Sequence, residues 1–120
     1  MSTTIKIKRV YEEPEKTDGY RVLVDRLWPR GMTKEKAAIE DWEKDLAPSP
    51  ELRTWFGHKP ELWPEFQERY KAELKKNEYI DGFVKKHKAS RLLTLLYAGK
   101  DEEHTHAVLL KKYLEHLFNK

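Results

Sequence analysis

The segment Arg91–Ala98, RLLTLLYA, narrows the fold more than any other stretch of the chain. Its apolar run is nearly continuous, so neither face suits water, as expected of a central strand covered by helices on both sides. Gly99 breaks it. A strand of this kind needs partner strands at its edges and helices over its faces, and the remaining sequence offers both.

Ile5 and Ile7 alternate with Lys6 and Lys8 ahead of Val10, the period-two pattern of a first strand. Pro14, Asp18 and Gly19 make Tyr11–Gly19 a loop, and Tyr20–Val24 (YRVLV) is a second strand rich in β-favouring residues. A weak third strand is expected around Trp42 within the ambiguous stretch Ile39–Leu46. Thr33 is placed to cap a short helix over Lys34–Ala38. Ser49 as N-cap, Pro50 at the first helical position and Gly57 beyond the end predict a helix over Pro50–Phe56. Pro60 and Pro64 open another, with Trp63, Phe66, Tyr70 and Leu74 as its apolar stripe, and a shorter one follows through Tyr79, Ile80, Phe83 and Val84. From about Asp101 a last helix is expected, presenting Ala107, Leu110, Tyr113, Leu114, Leu117 and Phe118. Strands separated by helices predict an α/β fold, a three-layer-like domain whose short, mostly parallel sheet is flanked by helices.

At 120 residues the chain is expected to form one domain over 1–120, burying roughly two-thirds of its unfolded surface. The 24 Lys and Arg exceed the 21 Asp and Glu by three, and the two signs are interspersed, so charge balance alone does not predict a nucleic-acid partner. With no cysteine, disulfides, thiol catalysis and zinc–thiolate sites are excluded. No segment reads as a signal peptide or a membrane span, which sets the expectation of a cytoplasmic protein without a membrane partner.

Ligands in open parallel sheets bind beyond the carboxyl ends of the strands. Three polar strand exits would therefore share an edge: DRLWPRG over 25–31, DLAPS over 45–49 and GKDEEHTH over 99–106. Arg26 and Arg30 offer permanently charged planar forks for phosphate or carboxylate, and Lys100 adds a cation. Helix starts near Ser49 and Asp101 can present backbone amides to an anion. Against this stands the ordinary structural reading, in which Arg26 pairs with a neighbouring acid while Trp28 and Pro29 anchor a turn. For Ser49 an N-cap role explains the residue fully, without nucleophilic chemistry. The aromatic residues at helical spacing likewise fit a core, and His58 is a further loop histidine without an evident partner.

His104 and His106 are candidate proton-transfer groups, with Asp25 as their acidic companion. They also raise a metal-assisted hydrolase, with Asp25, Asp101, His104 and His106 as ligands, although the i, i+2 spacing of the histidines diverges on a helix. No phosphate-cradling or dinucleotide glycine pattern is present, and the sequence leaves any cofactor unassigned.

The stretches GYRVLVDRLWPRGMTKE from Gly19, DWEKDLAPSPELRTWFGH from Asp41, WPEFQERYKAEL from Trp63 and TLLYAGKDEEHTHAVLL from Thr94 together resemble the YeaO-like branch of the domain-of-unknown-function family four-eight-eight. The resemblance runs over nearly the whole chain. It implies an intracellular α/β domain and favours the loops Asp25–Gly31 and Lys100–His106 as the site. Wider relatives resemble the chain in an Asp-Arg segment after an early strand. Some of them carry Cys-His-Arg where this sequence has His104-Thr105-His106, so thiol chemistry does not transfer. The expected function is binding of a small anionic, phosphate-bearing ligand, a nucleotide or nucleic acid included, with Asp25, His104 and His106 as candidate catalytic groups and Arg26, Trp28, Arg30, Ser49 and Lys100 as ligand contacts. The metal-assisted hydrolase and a protein-interaction module using Trp28 are the alternatives.

Overall fold

A computed structural model describes residues 3–119; Met1 and Ser2, part of the stretch read for a leader, lie outside it. Four strands, β1 (Thr4–Arg9), β2 (Tyr20–Leu23), β3 (Asp41–Trp42) and β4 (Leu92–Tyr97), form one sheet in the order β1-β4-β2-β3. Every pairing is parallel. The apolar run is thus a central strand, with Leu93, Leu95 and Leu96 fully buried.

The register explains the two faces. Ile5, Ile7, Tyr20, Val22, Leu93 and Leu95 share one face, which is covered by α2 (Pro50–Phe56), α3 (Trp63–Lys76), α4 (Ile80–Lys86) and α5 (His106–Phe118). Phe56, Phe66, Tyr70, Leu74, Phe83, Leu110 and Leu114 are among the buried side chains that these helices contribute. The opposite face is more polar, with Lys6, Lys8, Thr94 and Arg21 beside Leu23 and Leu96. Its cover is thinner: Ala37 of α1 (Lys34–Ala37), with Trp28, Met32 and Ile39, packs on Val10, Leu23 and Leu96. None of the described helices is long and apolar enough to cross a membrane.

Because β4 lies between β1 and β2, the short 10–19 connection must pass back over it on the polar face. Asp18, at the end of a 3-10 turn over Lys16–Asp18, pins that crossing. Its carboxylate accepts from the Arg21 guanidinium at 2.5 Å and the Lys8 ammonium at 3.1 Å, and its carbonyl accepts from the buried Thr94 hydroxyl at 2.5 Å. The adjoining Gly19 has φ +65°, and a Cβ there would stand 2.5 Å from the Leu92 carbonyl oxygen. Only glycine fits so close an approach with a positive φ.

Helix α2 forms as its caps dictate. Ser49 Oγ accepts from the Leu52 amide, Pro50 starts the helix, and Gly57 ends it at φ 52°. Helix α5 departs from expectation, since it begins at His106 rather than near Asp101. The Asp101 carboxylate caps a separate turn, accepting from the Glu103 and His104 amides, and Thr105 takes the N-cap position by accepting from Ala107. That shift of a few residues decides where both histidines go.

Candidate functional site

The three strand-exit loops line a common cavity of about 600 Å³, joined by the end of α2, a volume within the ordinary range for small-molecule sites. Asp25, Arg26, Trp28 and Arg30 come from the β2 exit, Ala47 and Pro48 from the second loop, and Lys100, Asp101, His104 and His106 from the β4 exit. Ser49 stays outside. Its amide and hydroxyl are committed to the Glu73 carboxylate, at 2.9 and 2.6 Å, while its oxygen caps α2.

Asp25 is held from two sides. One oxygen accepts from the Ala98 amide at 2.9 Å, tying the end of β2 to the end of β4, and the other lies 3.3 Å from His106 Nε2. The same Nε2 is 2.9 Å from the Val24 carbonyl. Since a carbonyl only accepts, Nε2 carries the proton, and Nδ1 is the atom left for proton transfer. The position of His106 at the first turn of α5 makes this bridge between helix and strand end possible. Beneath it the Tyr70 ring stands edge-on at 6.0 Å, and its hydroxyl donates to the Leu46 carbonyl at 2.6 Å. Burial raises the Tyr70 pKa well above its usual value, so that phenol remains a neutral donor.

His104 sits on the outer turn. Its Nδ1 is 2.8 Å from Asp101 and its ring stands edge-on to Trp63 at 5.4 Å, which leaves Nε2 to meet a ligand. Hydrogen bonds from the His104 amide and ring hold the Asp101 pKa below the ordinary carboxylate range.

Arg26 does not pair with Asp25. Its Nε and Nη2 donate to the Pro48 and Ala47 carbonyls at 3.2 and 3.3 Å, and Asp45 approaches Nη1 only to 3.9 Å. The fork is thereby fixed in direction without its charge being neutralised at close range. Among the described residues the arginines in ion pairs are Arg21, Arg26 and Arg69, so Arg30 and Arg53 face the cavity without an acidic partner. Trp28 donates from Nε1 to the Met32 carbonyl at 2.7 Å and packs edge-on against Trp42 at 5.5 Å, so it both anchors the loop and lines the cavity.

Tyr11, Arg53, Phe56, His58 and Phe66 line the cavity from outside the strand exits, and of these Arg53 adds a cation and His58 an imidazole. Arg53 comes from α2, where nothing local marks it as inward. His58 follows Gly57 in a second left-handed conformation, φ 59°, and its ring carbon Cε1 would lie 3.7 Å from a Cβ on Gly99. A positive φ at a non-glycine residue carries a conformational cost and recurs at functional sites.

The metal-hydrolase arrangement is not assembled. Among the described residues, no three of Asp25, Asp101, His104 and His106 bring ligand atoms within 4.8 Å of one another, a closeness reached instead by Asp41, Glu43 and His87 at the edge strand. The reason is local: Asp101 holds His104 on the outer turn, whereas Val24 and Asp25 hold His106 at the strand end.

Comparison with known proteins gives consistent relatives. The Escherichia coli (strain K12) protein printed as "Uncharacterized protein YeaO" is 42% identical over 113 residues, covering 94% of this chain and 98% of its own. The Mycobacterium bovis protein "Uncharacterized protein Mb3100c" is 38% identical over 112 residues, covering 93% and 94% respectively. No solved structure matches the chain. Residues 4–120 match the family model described as "Inactive DUF488-N3 subclade", and the chain belongs to that family.

Proposed function

We propose that the protein binds a small anionic ligand, phosphate-bearing and with an apolar or planar body, in the cavity at the carboxyl edge of the sheet. The observation that carries this reading is the charge of the lining. Arg26, Arg30, Arg53 and Lys100 converge on one cavity with only Asp25 and Asp101 against them, and Phe56, Phe66, Trp28 and Pro29 supply apolar wall. The Arg26 fork, held in place by carbonyls, and the Arg30 and Arg53 guanidiniums without an acidic partner among the described residues suit phosphate oxygens. A concave pocket of this size fits a nucleotide-sized molecule better than a nucleic-acid strand, which would call for an extended basic groove.

Asp25 and His106 would orient the ligand and exchange a proton with it through Nδ1, and His104 would act from the outer rim. The word "inactive" in the description of the family sits better with binding than with turnover. The interaction-module alternative has one observation in its favour, Leu27 standing 59% exposed beside the cavity. Trp28, in contrast, is already engaged with Met32 and Trp42.

Thermal unfolding with added nucleoside monophosphate and inorganic phosphate tests the reading. The parent is expected to gain melting temperature in proportion to the logarithm of ligand concentration. The double variant Arg30→Ala/Arg53→Ala, altered at exposed positions, should keep its unliganded melting temperature and lose most of that gain. An equal gain in parent and variant, or none in the parent for any phosphate monoester tried, would overturn the reading.

A further inference from the structure

A second cluster lies away from this cavity, at the edge strand. Asp41 lies in β3 and Glu43 just beyond its end, and the two bring carboxylate oxygens within 4.8 Å of each other. The carboxyl end of α4 meets them through His87. That imidazole is 3% exposed and is held between the rings of Tyr20 and Phe83, each 4.6 Å away, so its direction is fixed by packing. Among the described residues its Nε2 is buried without a hydrogen-bond partner, and it lies 4.0 Å from an Asp41 oxygen, too far for a hydrogen bond. A buried polar atom left unpaired is costly, and one facing two carboxylates would gain its partner from an ion held between them.

We propose that Asp41, Glu43 and His87 form a site for a divalent transition-metal ion of the zinc class, which fastens the end of α4 to β3. One ligand atom from each residue lies within 4.8 Å of the others. Tetrahedral coordination with bonds of about 2.0–2.1 Å would bring them to about 3.3 Å apart, so the site must contract by roughly 1.5 Å at most. Rotation of the carboxylates, whose side chains are 21% and 23% exposed, supplies that movement. The mixed nitrogen and oxygen set selects zinc, cobalt or nickel over calcium and magnesium, which prefer oxygen alone. Three protein ligands leave the fourth position to water.

The Lys86 ammonium now occupies the mouth of this site, 2.6 Å from Asp41 and 3.8 Å from Glu43. Its side chain is 54% exposed on a flexible stem and can swing away when a dication enters. Lysine is therefore the competitor of the metal for the two carboxylates.

The test is titration of untagged, chelator-treated protein with Zn²⁺, with Mg²⁺ in parallel. The expected result is one equivalent of Zn²⁺ bound, Mg²⁺ not bound, affinity lowered about 100-fold in Glu43→Gln and in His87→Gln, and affinity raised about threefold or more in Lys86→Ala as the competing charge is removed. His104→Gln should bind as the parent does. Since His87→Gln alters a buried ring and can cost the fold, Glu43→Gln carries the decision. Absence of Zn²⁺ binding in the parent, or binding that persists unchanged in Glu43→Gln, would overturn the proposal, as would loss in His104→Gln with none in Glu43→Gln.

Discussion

At the amino end of β2, Asp18 and Arg21 face each other at 2.5 Å with side chains 3% and 4% exposed. At the carboxyl end, Asp25 and Arg26 are neighbours in sequence yet turn apart, one to Ala98 and His106, the other to the carbonyls of Ala47 and Pro48. The first pair is closed. Arg21 also donates to the Ala37 and Ala38 carbonyls, and Asp18 receives the Lys8 ammonium and the Glu15 amide besides. Nothing in it is left for a ligand. The second pair is open, because backbone groups position both side chains without neutralising the guanidinium. Identical residue types thus serve cohesion at one end of a strand and leave the guanidinium without a close acidic partner at the other, and the hydrogen-bond partners decide which.

The largest effect expected from this contrast is at the closed end. Asp18→Ala leaves the buried Arg21 charge without its acid, which should cost about 3 kcal/mol in denaturant unfolding, within the usual range for a broken buried pair. Its pH dependence has a definite sign. Burial pushes the Asp18 pKa up, but the hydrogen bonds from Glu15, Lys8 and Arg21 outweigh it and bring the value below 3.8. A carboxylate with a depressed folded pKa contributes stability that is fully present above its unfolded pKa and lost as pH falls through the folded one. The parent should therefore lose stability steeply below about pH 4, and Asp18→Asn should flatten that acid limb. Equal slopes would show that the pair is not the anchor described.

This closed pair was invisible from sequence, where Tyr11–Gly19 reads simply as a loop. Its partners, Lys8, Arg21 and Thr94, come from three strands, and only their register places them together. In contrast α2 was legible at both ends, because Ser49, Pro50 and Gly57 act within their own few residues. The start of α5 was misplaced for a related reason: Asp101 does cap backbone amides, but those of a turn, and which of Asp101 and Thr105 opens the helix depends on where β4 releases the chain. At the cavity, the rule for parallel sheets was enough to group the loops after β2, around 45–49 and after β4. It gave no hint of Arg53 or His58, which arrive from a helix end. His87 had no local signal either, since its meaning arises only against Asp41 and Glu43, over forty residues earlier in the chain.

At the open end the expected costs are smaller and separate two roles. Asp25→Ala removes the acceptor for the Ala98 amide and the companion of His106, so a loss of about 2 kcal/mol is expected, the cost of one buried donor left unpaired. Asp25→Asn keeps an acceptor for Ala98 and should recover about half of that loss. If Asp25→Ala is as damaging as Asp18→Ala, both ends of β2 are structural anchors and the contrast between them fails.

The smallest effect, and the sharpest one, is at Arg26. Its hydrogen bonds to Ala47 and Pro48 are long, and the side chain is 27% exposed. Removing it in Arg26→Ala should cost about 1 kcal/mol, the ordinary worth of a hydrogen-bonding side chain at a half-buried position. If the guanidinium serves only to tie the second loop to the first, Arg26→Lys should restore much of that stability, and neither variant should change the response to phosphate monoesters. A recognition role separates the two readouts. Lysine keeps the charge but lacks the planar fork, so Arg26→Lys would regain stability while the ligand-induced rise in melting temperature stays below that of the parent. A lysine variant that matched the parent in both would leave Arg26 as a point charge, and would move the weight of ligand recognition onto Arg30 and Arg53.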